Sequence, residues 1–152
     1  MTTLAGGCQC GAVRFALDEP LGRASICHCR MCQKAMGGLV GAFVGGENLR
    51  WTRGAPAYFQ SSNKVRRGFC AACGTPLTFA WIGHGEEVAI PALDHPERVA
   101  PTIQVGVESR LPWFESLAGL PERKPEEAPW LATIVSRQHP DQDTDAWPPT
   151  DG

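Results

Sequence analysis

The chain has 152 residues, 43% of them hydrophobic, which fits a single domain with a real core. Its formal net charge of −2 gives no basic excess for nucleic acid or an anionic membrane. No apolar run approaches the roughly 20 residues of a membrane span, and the start "MTTLAGGCQC" has neither the basic region nor the apolar stretch of a signal peptide, so a cytoplasmic protein is expected.

Seventeen glycines and 13 prolines are spread along the chain and argue against long helices. "AVRFAL" alternates, with Val13, Phe15 and Leu17 on one face, and predicts the first strand. "RMCQKAM" (30–36) is the best helical candidate. Further short strands are predicted at 38–44, 57–60, 64–70, 77–82, 87–90 and 102–107. A second, weaker helix is predicted over "APWLATIVSR" (128–137). The pattern is mainly β, with thiols at the bends and metal supporting a small core.

Composition shifts near residue 121. Residues 121–152 hold six of the 13 prolines, with seven acidic and three basic residues. The expectation is a domain over 1–121 and a Pro-rich acidic extension over 122–152, partly extended or disordered. Trp130 and Trp147 in that extension suit either ordinary packing or docking of a partner. "RLPWF" (110–114) suits a core cover or an interface equally.

There are seven cysteines: Cys8, Cys10, Cys27, Cys29, Cys32, Cys70 and Cys73. An odd number fits a disulfide framework badly, and the spacings C-x-C, C-x-C-x-x-C and C-x-x-C point to metal. In a strand, Cys8 and Cys10 would project from one face with Cα atoms roughly 6–7 Å apart. Cys70 and Cys73, followed by Gly74, have the form of a zinc-gripping turn. These four thiolates could close a tetrahedral structural site. Cys27, Cys29 and Cys32 would then form a second site with three sulfurs and one open position, as catalytic zinc sites have. Two zinc ions per chain is the favoured reading. One four-cysteine site with three spare thiols, iron–sulfur ligation and redox-active thiols remain as alternatives.

His28 lies between two of these cysteines. In an extended segment it points away from them, which favours a packing role over ligation. His84 and His95 read as surface histidines, and His139 carries no assignment. Three thiolates make zinc a weak Lewis acid but a good host for another soft ligand. Thiol chemistry is therefore favoured over hydrolysis, since a bound thiol would be held as the nucleophilic thiolate. Arg30, Lys34, Lys64, Arg66 and Arg67 are candidate cations for balancing the charge or for binding substrate carboxylates.

"GGCQCGAVRF", "CHCRMCQKAMGG", "RRGFCAACGTPLTF" and "ALDHPERVAPTIQVGVESRLPWF", in that order, resemble the glutathione-dependent formaldehyde-activating enzyme family, which includes centromere protein V-like domains. The resemblance covers roughly residues 4–121. It implies a β-tent fold of small antiparallel sheets. It implies a structural zinc on Cys8, Cys10, Cys70 and Cys73, and a second zinc on Cys27, Cys29 and Cys32 facing substrate. It also implies a carbon–sulfur lyase type of activity on a thiol–aldehyde adduct, as in glutathione plus formaldehyde to S-hydroxymethylglutathione. The partners would be a glutathione-like thiol and a small aldehyde, with no nucleic acid and no membrane. The competing expectation is a non-catalytic zinc scaffold that binds a protein partner.

Overall fold

Two β-sheets and one short helix make up the computed structural model, which describes residues 2–148. The smaller sheet has three antiparallel strands in the order β1 (Thr3–Gly7), β2 (Arg14–Leu21), β5 (Gly46–Arg53). The larger has seven, in the order β10 (Ile103–Val105), β3 (Ser25–Cys27), β4 (Gly41–Val44), β9 (Gly85–Ala89), β8 (Pro76–Trp81), β7 (Val65–Phe69), β6 (Ala57–Gln60). The one helix, α1 (Arg30–Met36), coincides with the predicted segment. The chain is mainly β, as expected. The antiparallel expectation fails at one pairing, since β10 runs parallel to β3.

The core lies between the sheets. Val13, Phe15 and Leu17 are all at or near zero exposure, as their alternation requires, and Leu4 joins them from β1. Phe43, Val44, Leu77 and Val88 face them from the larger sheet, and Ile90 and Leu93 close one end. Phe15 meets Trp51 of β5 edge to face at 6.0 Å. Three strands have no counterpart in the predicted elements. β1 is written with small residues and two glycines. β3 is three residues long. β5 is "GENLRWTR", whose polar, largely exposed faces leave no apolar alternation to read. Among the described residues no helix is long and apolar enough to cross a membrane.

The segment 128–137 is not an α-helix. Pro129–Thr133 makes a 3-10 turn and the chain then extends. Trp130, Leu131, Ile134 and Val135 are all exposed, so no surface receives the apolar face that would stabilise a helix. Beyond it the chain returns to the body. His139 is buried, its amide donates to the Gln9 carbonyl (2.7 Å), and the Trp147 indole donates to the Cys10 carbonyl (2.6 Å). Arg53 reaches the Thr144 carbonyl.

Arg14, 3% exposed, is gripped through both terminal nitrogens by Asp94 (2.7 and 2.6 Å) and again by Asp143 (2.8 Å) from the returning segment. Burial works against its charge, but the two carboxylates outweigh burial and hold its pKa above the ordinary value. Asp94→Asn leaves the buried cation with only the largely exposed Asp143 as a carboxylate partner and is expected to lower unfolding stability by about 3 kcal/mol. Asp143 is 64% exposed, so Asp143→Asn is expected to cost less than about 1 kcal/mol. Urea titrations of the two variants check the difference.

Candidate metal centres

All seven cysteines fall into two clusters, four plus three, within each of which the sulfurs lie within 4.8 Å of one another. Cys8, Cys10, Cys70 and Cys73 form the first. Cys8 and Cys10 lie in a turn after β1 rather than along a strand. The Cys8 amide bonds to the Val13 carbonyl, and the Gly11 amide to the Cys8 carbonyl. That curl brings the two sulfurs to 3.6 Å, closer than the pleat of a strand would hold them. Cys70 and Cys73 occupy the turn between β7 and β8. The Gly74 amide bonds back to the Cys70 carbonyl at 2.8 Å, and its φ of +81° is a conformation that glycine adopts without strain.

A tetrahedral zinc with bonds of about 2.3 Å has sulfur–sulfur edges of about 3.8 Å. The Cys8–Cys10 and Cys10–Cys70 separations are 3.6 and 3.8 Å, so the donor set fits such an ion. The Val13 amide donates to the Cys8 sulfur (3.3 Å) and the Thr75 hydroxyl lies 3.2 Å from the Cys73 sulfur. Burial pushes the Cys10 thiol up to about 12. At Cys73 burial is overcome by hydrogen bonds from Thr75 and from Cys10, and the thiol falls to about 6.

Cys27, Cys29 and Cys32 form the second cluster. Cys27 ends β3, Cys29 caps α1 and Cys32 lies in its first turn, with the Cys32 amide donating to the Cys29 sulfur (3.3 Å). The parallel strand β10 carries Gly106 against them. A Cβ there would come within 2.9 Å of the Cys29 nitrogen and 3.3 Å of the Cys27 sulfur, and φ is +62°. Only a glycine lets this backbone approach so closely. Burial raises Cys27, and pushes Cys32 up to about 12 against the opposing pull of Arg67. At Cys29 burial is outweighed by the Cys32 amide and the neighbouring thiols, so its thiol is lowered.

Histidine joins neither cluster among the described residues. His28 is fully buried. Its Nε2 bonds to Gln104 Oε1 (2.9 Å) and its ring meets Phe114 edge to face at 4.8 Å. His84 and His95 are exposed, His95 beside Glu97. His139, unassigned from the sequence, anchors the returning segment with its Nε2 3.0 Å from the Thr144 hydroxyl. Nothing local in "RQHPDQ" foretells that burial.

The candidate cations separate. Arg67 crosses from β7 to lie 3.5 Å from the Cys32 sulfur. Arg30 and Lys34 line a groove of about 430 Å³ with Met31, Ala35, Phe59 and Ser61. Arg66 lies over the Tyr58 ring and pairs with Glu86, and Lys64 is exposed. Buried Gln33 fastens α1 to the chain after β10. Its Nε2 donates to the carbonyls of His28 (2.6 Å) and Ser109 (3.2 Å). A separate cavity of about 390 Å³ touches Cys8, Arg14 and His139, with none of the three-cysteine cluster in its lining.

Fold and sites together define a mainly β protein with two thiol clusters suited to metal. Residues 3–109 match the family described as "Glutathione-dependent formaldehyde-activating enzyme", and the chain belongs to that family. A crystal structure of a Rhodobacter sphaeroides protein, 23% identical, is similar with a TM-score of 0.52 over 66% of this chain and 99% of that one. That likeness carries the fold alone. No curated protein matches the chain.

Cys70→Ser is expected to remove one metal equivalent and to lower the melting temperature sharply, because the first cluster joins turns 60 residues apart. Cys29→Ser is expected to remove one equivalent while leaving the β-sheet signal in place. Native mass spectrometry and circular dichroism read the two effects.

Proposed function

We propose that the protein is a zinc-dependent enzyme of the carbon–sulfur lyase type, acting on the adduct of a small thiol such as glutathione with a small aldehyde such as formaldehyde. Two zinc ions per chain are part of the reading. Cys8, Cys10, Cys70 and Cys73 would hold a structural ion, and Cys27, Cys29 and Cys32 the ion at the reacting centre. The observation that carries it is the inequality of the clusters: one has four sulfurs and the other stops at three. Cys27, Cys29 and Cys32 would hold zinc with a further ligand position to spare, where the ion would favour the thiolate form of an incoming thiol.

The chain's own residues account for the rest. In the synthetic direction the sulfur electron pair forms the carbon–sulfur bond, the carbonyl π pair moves to oxygen, and that oxygen takes a proton. The lyase direction is the reverse. Cys27, Cys29 and Cys32 are held in place by β3, the start of α1 and the amide of Cys32. Arg30 and Lys34 stand on the same helix as Cys32, along a groove floored by Met31 and Phe59, and suit the carboxylates of a glutathione-like thiol. Family membership supports the thiol and aldehyde classes.

The competing reading is a non-catalytic zinc scaffold, and the exposed Trp130, Leu131, Ile134 and Val135 favour it. Glutathione titrated into the cobalt-substituted protein separates the two. New sulfur-to-cobalt absorption is expected for the enzyme, while unchanged bands together with no adduct formation would sink that reading. The double variant Arg30→Gln, Lys34→Gln is expected to raise KM for glutathione roughly tenfold, with less effect on an uncharged thiol. Steady-state assays with both thiols check this.

A further inference from the structure

Two arginines are buried among the described residues, and their charges are met in different ways. Arg14 has two carboxylates. Arg67, 6% exposed, has none among the described residues. Its Nε donates to the Ser61 hydroxyl (3.0 Å), its Nη2 lies 3.5 Å from the Cys32 sulfur, and its Nη1 is buried without a hydrogen-bond partner. The guanidinium also lies 5.3 Å from the centre of the Phe79 ring. The guanidinium is a fixed positive charge. A buried cation without an anion is strongly disfavoured. The group within contact that would become anionic on holding a divalent ion is the three-cysteine cluster, through Cys32.

Among the described residues the four-cysteine cluster has no cation in contact with its sulfurs. Its sulfurs meet backbone amides such as that of Val13 and the Thr75 hydroxyl, all of them neutral. The two clusters therefore differ in counter-charge as well as in sulfur number. Three thiolates around a divalent ion carry one net negative charge, and a fourth thiolate from substrate would make two. A fixed cation touching the cluster offsets that second charge.

We propose that Arg67 is a positioning residue that makes the three-cysteine centre selective for an anionic incoming ligand, a substrate thiolate in preference to a neutral donor. The proposal rests on the functional reading above. The Ser61 hydroxyl accepts from the guanidinium Nε and also lines the Arg30–Lys34 groove, so the groove is linked to Cys32 through Ser61 and Arg67 in turn.

The test uses the full-length cobalt-substituted protein and three probes: glutathione, azide as a non-thiol anion, and imidazole as a neutral ligand. Arg67→Met is expected to weaken glutathione and azide roughly tenfold or more, with imidazole changed less than about threefold. Arg67→Lys is expected to restore part of the anion affinity. Equal losses for anions and imidazole, or no loss at all, would overturn the proposal. If Arg67→Met does not fold, Ser61→Ala, which only loosens the guanidinium, is expected to shift the anion-to-imidazole ratio in the same direction by less. An unchanged ratio there also overturns it. If glutathione fails in the unmodified protein while azide and imidazole bind, the functional reading falls, and the azide-to-imidazole ratio still decides the role of Arg67. If no probe changes the spectrum, the centre is closed and the proposal falls.

Discussion

The convergence of Cys8 and Cys10 on Cys70 and Cys73 is the constraint on which the molecule depends. The first pair follows β1 of the small sheet and the second sits between β7 and β8 of the large one. Sulfurs 60 residues apart in sequence come to 3.8 Å. Closing so long a loop costs chain entropy that short strands repay poorly by themselves. A cation shared by four thiolates would repay it locally, beside the core residues Phe15, Leu17 and Leu77 that meet between the sheets.

The second cluster depends on a different device. Its three sulfurs are local in sequence, so their grouping needs little long-range help. What surrounds them is not local. The parallel pairing of β10 with β3 places Gly106 against Cys27 and Cys29, and Gln33 ties α1 to Ser109. Arg67 arrives from β7, three strands beyond β4 in the same sheet. A short contiguous motif is thus set in a pocket built from residues near 30, 67 and 106.

Residues 138–147 return to the turn that carries Cys8 and Cys10. Asp143 meets Arg14, and Trp147 meets the Cys10 carbonyl. The exposed apolar stretch at 130–135 runs between buried Ala128 and buried His139 without a surface of its own to cover. Its contrast with buried His139 shows that burial along this segment does not follow hydrophobicity.

The sequence by itself determined the four-plus-three division of the thiols, because metal-gripping spacings are short and each is closed by its own turn. It determined α1 and most strands of the large sheet, whose apolar periodicity or β-branched runs are local signals. It did not contain β1 or β5, since glycines and charged residues pair there only because β2 lies between them. It suggested a helix at 128–137 that had no surface to fold against. Five cations looked equivalent in the sequence, and only the tertiary structure separated Arg67, buried on the cluster, from Arg66, its neighbour on the opposite face of the same strand. Ligand spacing is a property of a few consecutive residues. Which charge lies against those ligands is decided by strands that meet only after the sheets have formed.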